Sequence, residues 1–331
     1  MRFIVVLLLC ALNLIFAYEV KTVYIGSGYM RTSYNEGMIC VTNSLARSVV
    51  IISKEGNVVG EISVGLAYPV SAVYHAGRVF VTDYYKSSVL VYSVFGKLIS
   101  SIRVGERPAT LMLHSGKIYV SSLGNSTVYR IDPYAMSIEK SFRFSAPSLY
   151  FFLDGEEIIF LYYGSTVQKT VEFANSERTF LYFNEIKTPL KIHRVSTRYF
   201  LLDYKTGTLL CTSKTKEIWR VNLPDFAPDM VLANNFIFVN SLKEPVISVV
   251  SLEGEITDVI ELPNITTSLE VLNDKIIALN HVPGELYIVD PYQKKIETLK
   301  LGNYSVSLVK ISENSVFVLS TDSGEGYFLD F

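Results

Sequence analysis

Charge is scarce in this sequence. Charged residues make up 19% of its 331 positions, apolar residues 49%, and the formal net charge is -2. Such a composition excludes intrinsic disorder, which requires few apolar residues and a large net charge. A pI near 6.1 gives no overall basic character, so nucleic acid is not an expected partner. Cysteine is equally sparse: three residues cannot build a disulfide scaffold. Four histidines argue against a His-rich metal centre, and there is no Cys-x-x-Cys-His haem-attachment motif. Trp219 is the sole tryptophan, so stacked indoles cannot recur from repeat to repeat, and no Gly-x-Ser-x-Gly elbow occurs. No cofactor is expected. Helical periodicity is missing too. What is abundant is strand-forming: 22 Tyr and 19 Phe accompany many Val, Ile, Ser and Thr.

The N-terminus reads as a targeting segment. Arg2 precedes an apolar run from Phe3 to Phe16, and Ala17 supplies a small residue for cleavage. The run falls short of the roughly 20 residues of a transmembrane helix. Residues 1–17 are therefore expected to be a signal peptide, with an uncleaved anchor as the alternative. Residues 18–331 are expected to form one domain outside the cytoplasm, secreted or in the cell envelope. Beyond the signal no long apolar run recurs, so no transmembrane segment is expected in the mature chain.

Internal repetition is the strongest signal. The block Val128 to Tyr134 returns as Leu286 to Tyr292, with Asp132-Pro133 and Asp290-Pro291 158 residues apart. Ser93-Val94-Phe95-Gly96 and Ser251-Leu252-Glu253-Gly254 are also 158 apart, and Ser53 precedes Ser93 by 40. The spacing is four periods of about 39.5, the length of a propeller blade. Each period reads as four short strands, a to d. In the second they are Ser71–Tyr74, Arg78–Thr82, Ser88–Tyr92 and Lys97–Val104, separated by Gly or Asp-Pro turns. Seven complete repeats and a three-stranded eighth fit the chain. Val20–Ile25 resembles an outer strand and supplies the one that the eighth lacks. The expected fold is all-β: an eight-bladed β-propeller closed by pairing the N-terminal strand with the C-terminal blade, with seven blades as the alternative. Cys40 and Cys211 then lie on opposite sides of the ring and cannot form a disulfide.

The inner-strand segments Ile39-Cys40-Val41-Thr42-Asn43, Phe80-Val81-Thr82-Asp83 and Tyr119-Val120-Ser121-Ser122 resemble the signature of the YVTN-type β-propellers. Gly65-Leu66-Ala67-Tyr68-Pro69 and Gly105-Glu106-Arg107-Pro108 are similar to that family's Gly-x-x-Pro connection between blades. The resemblance is clear over 37–147, weakens over 148–228 and partly returns over 229–331. It implies an architecture, and often an exported or surface location, but no chemistry.

Ligand sites on propellers gather where loops converge at the channel mouth. The b–c loops and d–a connections share one face. Candidate ligand-binding residues there are Tyr84, Tyr85, Tyr162, Tyr163 and Tyr204, with Lys86, Arg107 and Lys205. Tyrosine combines an apolar ring with a hydroxyl and suits a peptide, a protein or a sugar. His281, in a b–c loop on that face, is the leading residue for acid–base work. His75 and His114 occupy equivalent turns, but neither has an acidic neighbour in its own turn. Lys191 and Glu270 align in the inner strands of blades 5 and 7. No catalytic constellation emerges. The expected function is a binding or scaffold module for a protein, peptide or glycan of the cell envelope. The alternative is an extracytoplasmic redox or hydrolytic propeller with a cofactor at the channel mouth.

Overall fold

The computed structural model describes residues 18–28, 31–146, 151–162, 171–174, 178–181, 183 and 186–331. The expected signal peptide and Tyr163 lie outside these residues. The chain forms eight four-stranded antiparallel sheets arranged as an eight-bladed β-propeller. Blade 1 comprises Arg31–Asn35, Met38–Asn43, Ser48–Ser53 and Val58–Ser63, as strands a to d. Blade 2 comprises Pro69–His75, Arg78–Asp83, Ser88–Ser93 and Leu98–Arg103. Blade 3 takes Pro108–His114, Lys117–Ser122, Thr127–Asp132 and Ser137–Arg143. Blades 4 to 7 follow at 151–181, 189–222, 230–261 and 268–300.

Blade 8 is the seam. Its strands a, b and c are Ser305–Lys310, Ser315–Ser320 and Glu325–Asp330, and its outer strand is Glu19–Tyr24 from the other end of the chain. The register runs from Glu19 opposite Asp330 to Tyr24 opposite Glu325. Hydrogen bonds therefore close the ring as the sequence predicts.

Strands b and c read as continuous apolar runs because a neighbouring blade covers each sheet face. Val79–Asp83 is buried throughout, whereas the rim strand Leu98–Arg103 buries only Ile102 fully. Each pair of adjacent blades encloses its own apolar cluster. Cys40, Ile51 and Ile62 of blade 1 meet Ala72, Val79 and Val81 of blade 2. Ile39, Val41 and Val50 meet Phe317 and Phe328 of blade 8 across the seam. Between blades 3 and 4, Phe144 stacks on Phe160 with ring centroids 3.9 Å apart. Each such buried side chain contributes about 1.5–3 kcal/mol.

Cys40 and Cys211 are free and buried, on blades 1 and 5. Burial pushes their thiols up to about 12 and about 11, so neither is a reactive thiolate. The Asp-Pro repeat proves to extend to a lysine. Asp132 accepts the Tyr134 and Ala135 amides, both at 2.8 Å, and pairs with Lys117 at 2.8 Å. Asp290 does the same with Tyr292, Gln293 and Lys275. Lys117 and Lys275 are again 158 apart. A lysine opening strand b thus holds the aspartate that ends strand c.

Candidate binding face

The loop face is organised by the last residue of strand b, the Asn or Asp of the inner-strand signature. Asn43 accepts the Ala46 amide at 2.8 Å and donates to the Ser27 carbonyl at 3.1 Å. Asp83 accepts the Tyr68 amide at 3.2 Å and the Lys86 amide at 3.4 Å. Asp203 accepts the Lys187 and Thr188 amides at 2.8 and 2.7 Å, and the Lys205 and Thr206 amides at 3.1 Å. In each case one short side chain ties a b–c loop to the connection arriving from the preceding blade. The resemblance noted in the sequence thus has a physical basis: a buried acceptor satisfies turn amides that nothing else reaches.

Among the candidate residues, the structure brings together Tyr84 and Tyr85 and adds Tyr68 from the connection between blades 1 and 2. The Tyr68 and Tyr85 rings lie 5.0 Å apart, Tyr84 and Tyr85 5.2 Å, and Tyr68 and Tyr84 6.4 Å. Tyr85 is 74% exposed. Lys86 and Arg107 are exposed beside this cluster, in the b–c loop of blade 2 and the connection to blade 3. Tyr204 and Lys205 form a separate group on blade 5, where Tyr204 packs edge-on against Phe226 at 5.8 Å.

Tyr162 does not belong to the face. It is 2% exposed, its hydroxyl donates to Glu172, and it accepts the Ser145 amide at 3.1 Å. Burial first, and then the Glu172 carboxylate, hold its hydroxyl protonated. It sits in the apolar cluster between blades 3 and 4, where Phe160 and Phe142 also pack.

The histidines are held by structural contacts. His281 Nδ1 lies 3.0 Å from the Ser305 carbonyl and its ring meets Tyr304 edge-on. His75 has an acidic partner after all, Glu36, from the equivalent turn of blade 1. Burial raises the Glu36 carboxyl, but the Ala76 amide and His75 outweigh it and hold it below the ordinary value. His114 Nε2 meets the Gly155 carbonyl at 2.8 Å, and His193 Nε2 the Met230 carbonyl at 3.2 Å. Among the described residues no three His, Cys, Asp or Glu side chains converge as a metal-ligand set.

Lys191 and Glu270 do not share a level. A register shift after Pro189 sets Lys191 opposite Leu202, near the loop end of strand b, whereas Glu270 stands opposite Ile277, nearer the other end. Lys191 pairs with Asp229, which also accepts the Leu269 amide at 3.0 Å. Burial raises the Glu270 carboxyl, and the Val271 amide, Lys191 and Lys310 only partly offset it. Elsewhere on the inner strands a cavity of 390 Å³ is lined by Arg31, Ser71, Thr110, Phe152 and Ser307, among others. Its hydroxyls bind strand to strand: Ser33 donates to the Ala72 carbonyl at 2.6 Å, and Ser71 accepts the Leu111 amide at 3.1 Å.

Sequence reasoning missed Leu45, Leu66 and Tyr68. Leu45 and Leu66 are 73% and 78% exposed on the loop face, next to the tyrosines in chain order around the ring. The signal was present in the Gly65 to Pro69 connection, whose Leu and Tyr are large for a turn.

No family model and no curated protein matches the sequence. Solved structures match its fold. The computationally designed Ika8 protein aligns with a TM-score of 0.71 at 9% identity, covering 93% of this chain and 98% of that one. Sqt1 of Saccharomyces cerevisiae aligns at 0.71 and 12% identity, over 95% of this chain and 98% of its own. BamB of Moraxella catarrhalis aligns at 0.56 and 9% identity, over 91% and 82%. At these identities the likeness is one of architecture, and the propeller fold alone carries no activity.

Proposed function

We propose that this chain is an exported propeller of the YVTN type that acts as a binding or scaffold module outside the cytoplasm. Its partner is a protein, peptide or glycan of the cell envelope. The observation that carries this reading is the Tyr68, Tyr84 and Tyr85 cluster, exposed on the face where loops converge and fixed from below by Asp83. Rigid aromatic rings in a preordered loop give contact area at little entropic cost. The histidines whose contacts are described meet backbone carbonyls, a carboxylate or another ring, which supports binding over catalysis.

The test uses residues 18–331 as immobilised bait against solubilised envelope, with the Tyr84→Ala/Tyr85→Ala double variant alongside. The expected result is a species retained by the bait and released by the double variant at unchanged melting temperature. Equal retention by both proteins would remove the tyrosines from the function. A reporter fused to residues 1–17 checks the location: the reading requires export.

A further inference from the structure

The loop face is two-sided in charge. Over blades 1 to 3 the exposed charges in the loops and at the ends of the rim strands are Arg47, Lys86, Arg103, Arg107 and Arg143, against Glu106 alone among acids. None of the five cations makes an ion pair among the described residues. Over blades 5 to 8 the balance reverses. Glu244, Glu261 and Asp322 are exposed there, Asp225 pairs with Lys243 at 3.1 Å, and Glu285 accepts the Tyr287 hydroxyl at 2.6 Å.

The basic side is one continuous strip. The Val64 amide donates to the Arg47 carbonyl at 2.9 Å, and the Tyr84 amide to Tyr68 at 3.1 Å. Farther round, Val104 donates to Ser87 at 2.9 Å, Leu123 to Arg107 at 3.1 Å and Gly124 to Glu106 at 2.9 Å. Gly105 allows this close approach, since a Cβ there would fall 2.3 Å from the Asn125 side chain. Backbone bonds thus join neighbouring loops from blade 1 to blade 3, and Leu45, Leu66 and Tyr85 stand out from the same strip.

We propose that this strip docks an acidic protein segment carrying large apolar side chains. Its carboxylates would meet the cations, and its apolar side chains would cover Leu45, Leu66 and Tyr85. Unpaired cations around an apolar centre match the polar rim and apolar core of a protein interface. The two leucines favour a peptide over an anionic glycan, because a sugar acid offers no large apolar group to bury them. The acids over blades 5 to 8 repel the same partner and confine it to one half of the face. The proposal rests on the binding reading above and names the partner's chemistry.

The experiment presents residues 18–331 to an array of peptides of one length, randomised over Asp, Glu, Leu, Phe, Ser and Gln, and to polygalacturonate. The expected binders are rich in acid and contain Leu or Phe. Their affinity should fall about tenfold or more in Arg47→Glu/Lys86→Glu/Arg107→Glu and in Leu45→Ser/Leu66→Ser, hot-spot-sized losses. It should change less than about twofold in Lys243→Glu/Lys300→Glu, since rim charges remote from the contact matter little. Rising salt should weaken it. Melting curves of each variant separate lost binding from lost fold. No enrichment of acidic peptides, or enrichment indifferent to the cation reversals, overturns the proposal. So does polygalacturonate binding that needs the cations and ignores the leucines, although a glycan partner would leave the broader binding reading standing. Failure of the array with continued retention of an envelope species would also separate the two.

Discussion

The two halves of the loop face are built by one repeat and differ in chemistry. In both, a strand-b Asp or Asn captures turn amides, as Asp83 does on blade 2 and Asp203 on blade 5. On blade 2 the loop above that aspartate exposes Tyr85 and Lys86, whereas on blade 5 Tyr204 turns onto Phe226. The repeat therefore dictates where loops emerge and leaves their outward side chains free to diverge. A ring of similar blades can in this way carry one chemically distinct sector.

The comparison breaks most completely if the ring opens. Deleting residues 326–331 removes most of the strand between Glu19–Tyr24 and Ser315–Ser320 and takes away Tyr327, Phe328 and Leu329. Three buried side chains amount to roughly 5–9 kcal/mol, comparable with the whole stability of a domain, about 5–15 kcal/mol. The truncated chain should be insoluble or unfolded, and both halves should be lost together, as read by thermal melting.

A smaller effect separates the halves. Asp203 accepts from four amides and from the Thr188 and Thr206 hydroxyls, whereas one oxygen of Asp83 has no partner among the described residues. Asp203→Ala should therefore cost about 3 kcal/mol or more and Asp83→Ala about 1 kcal/mol. Chemical denaturation of the two variants checks the ranking, and equal losses would contradict it. Below that scale, Tyr204→Ala should cost about 1–2 kcal/mol through its lost ring contact. Tyr85→Ala should fall within about 0.5 kcal/mol of the parent, as an exposed substitution does. Its effect belongs to binding.

The smallest change lies on the opposite face. The Lys117 hydrogen bond, then the Ala135 and Tyr134 amides, hold the Asp132 carboxyl well below its ordinary value. A depressed folded pKa gives stability that is present above the unfolded value, about 3.9, and is lost as pH falls through the folded one. Lys117→Met should accordingly flatten the acid limb of the stability profile and leave the shape of the neutral region unchanged. An unchanged acid limb would show that the pair contributes nothing.

Blade count, strand order and seam were legible in the sequence because their signals are local and repeated. Lys97–Val104, for example, proved to be Leu98–Arg103, since the flanking turns mark the strand within a residue or so. Side-chain direction was less legible. Tyr85 and Tyr162 both follow a strand b, yet Phe142 and Phe160 draw Tyr162 inward while nothing covers Tyr85. Partnerships between blades, such as Glu36 with His75, join residues 39 apart that no single turn reveals. The register shift at Pro189 displaced Lys191 from the level of Glu270 for a reason that alignment by eye cannot see. The charged sector escaped notice because each loop alone looks ordinary. Arg47, Lys86 and Arg107 become a set only when their blades are placed side by side.

The central claim is that blades 1 to 3 carry the binding function and blades 5 to 8 do not. Its most direct test is site-specific photo-crosslinking in the native envelope, with a benzophenone side chain introduced at Tyr85 in one variant and at Phe226 in another. The account predicts a discrete crosslinked species from position 85, competed by excess unlabelled protein, and none from position 226. Crosslinking of the same species from both positions, or from 226 alone, would contradict it.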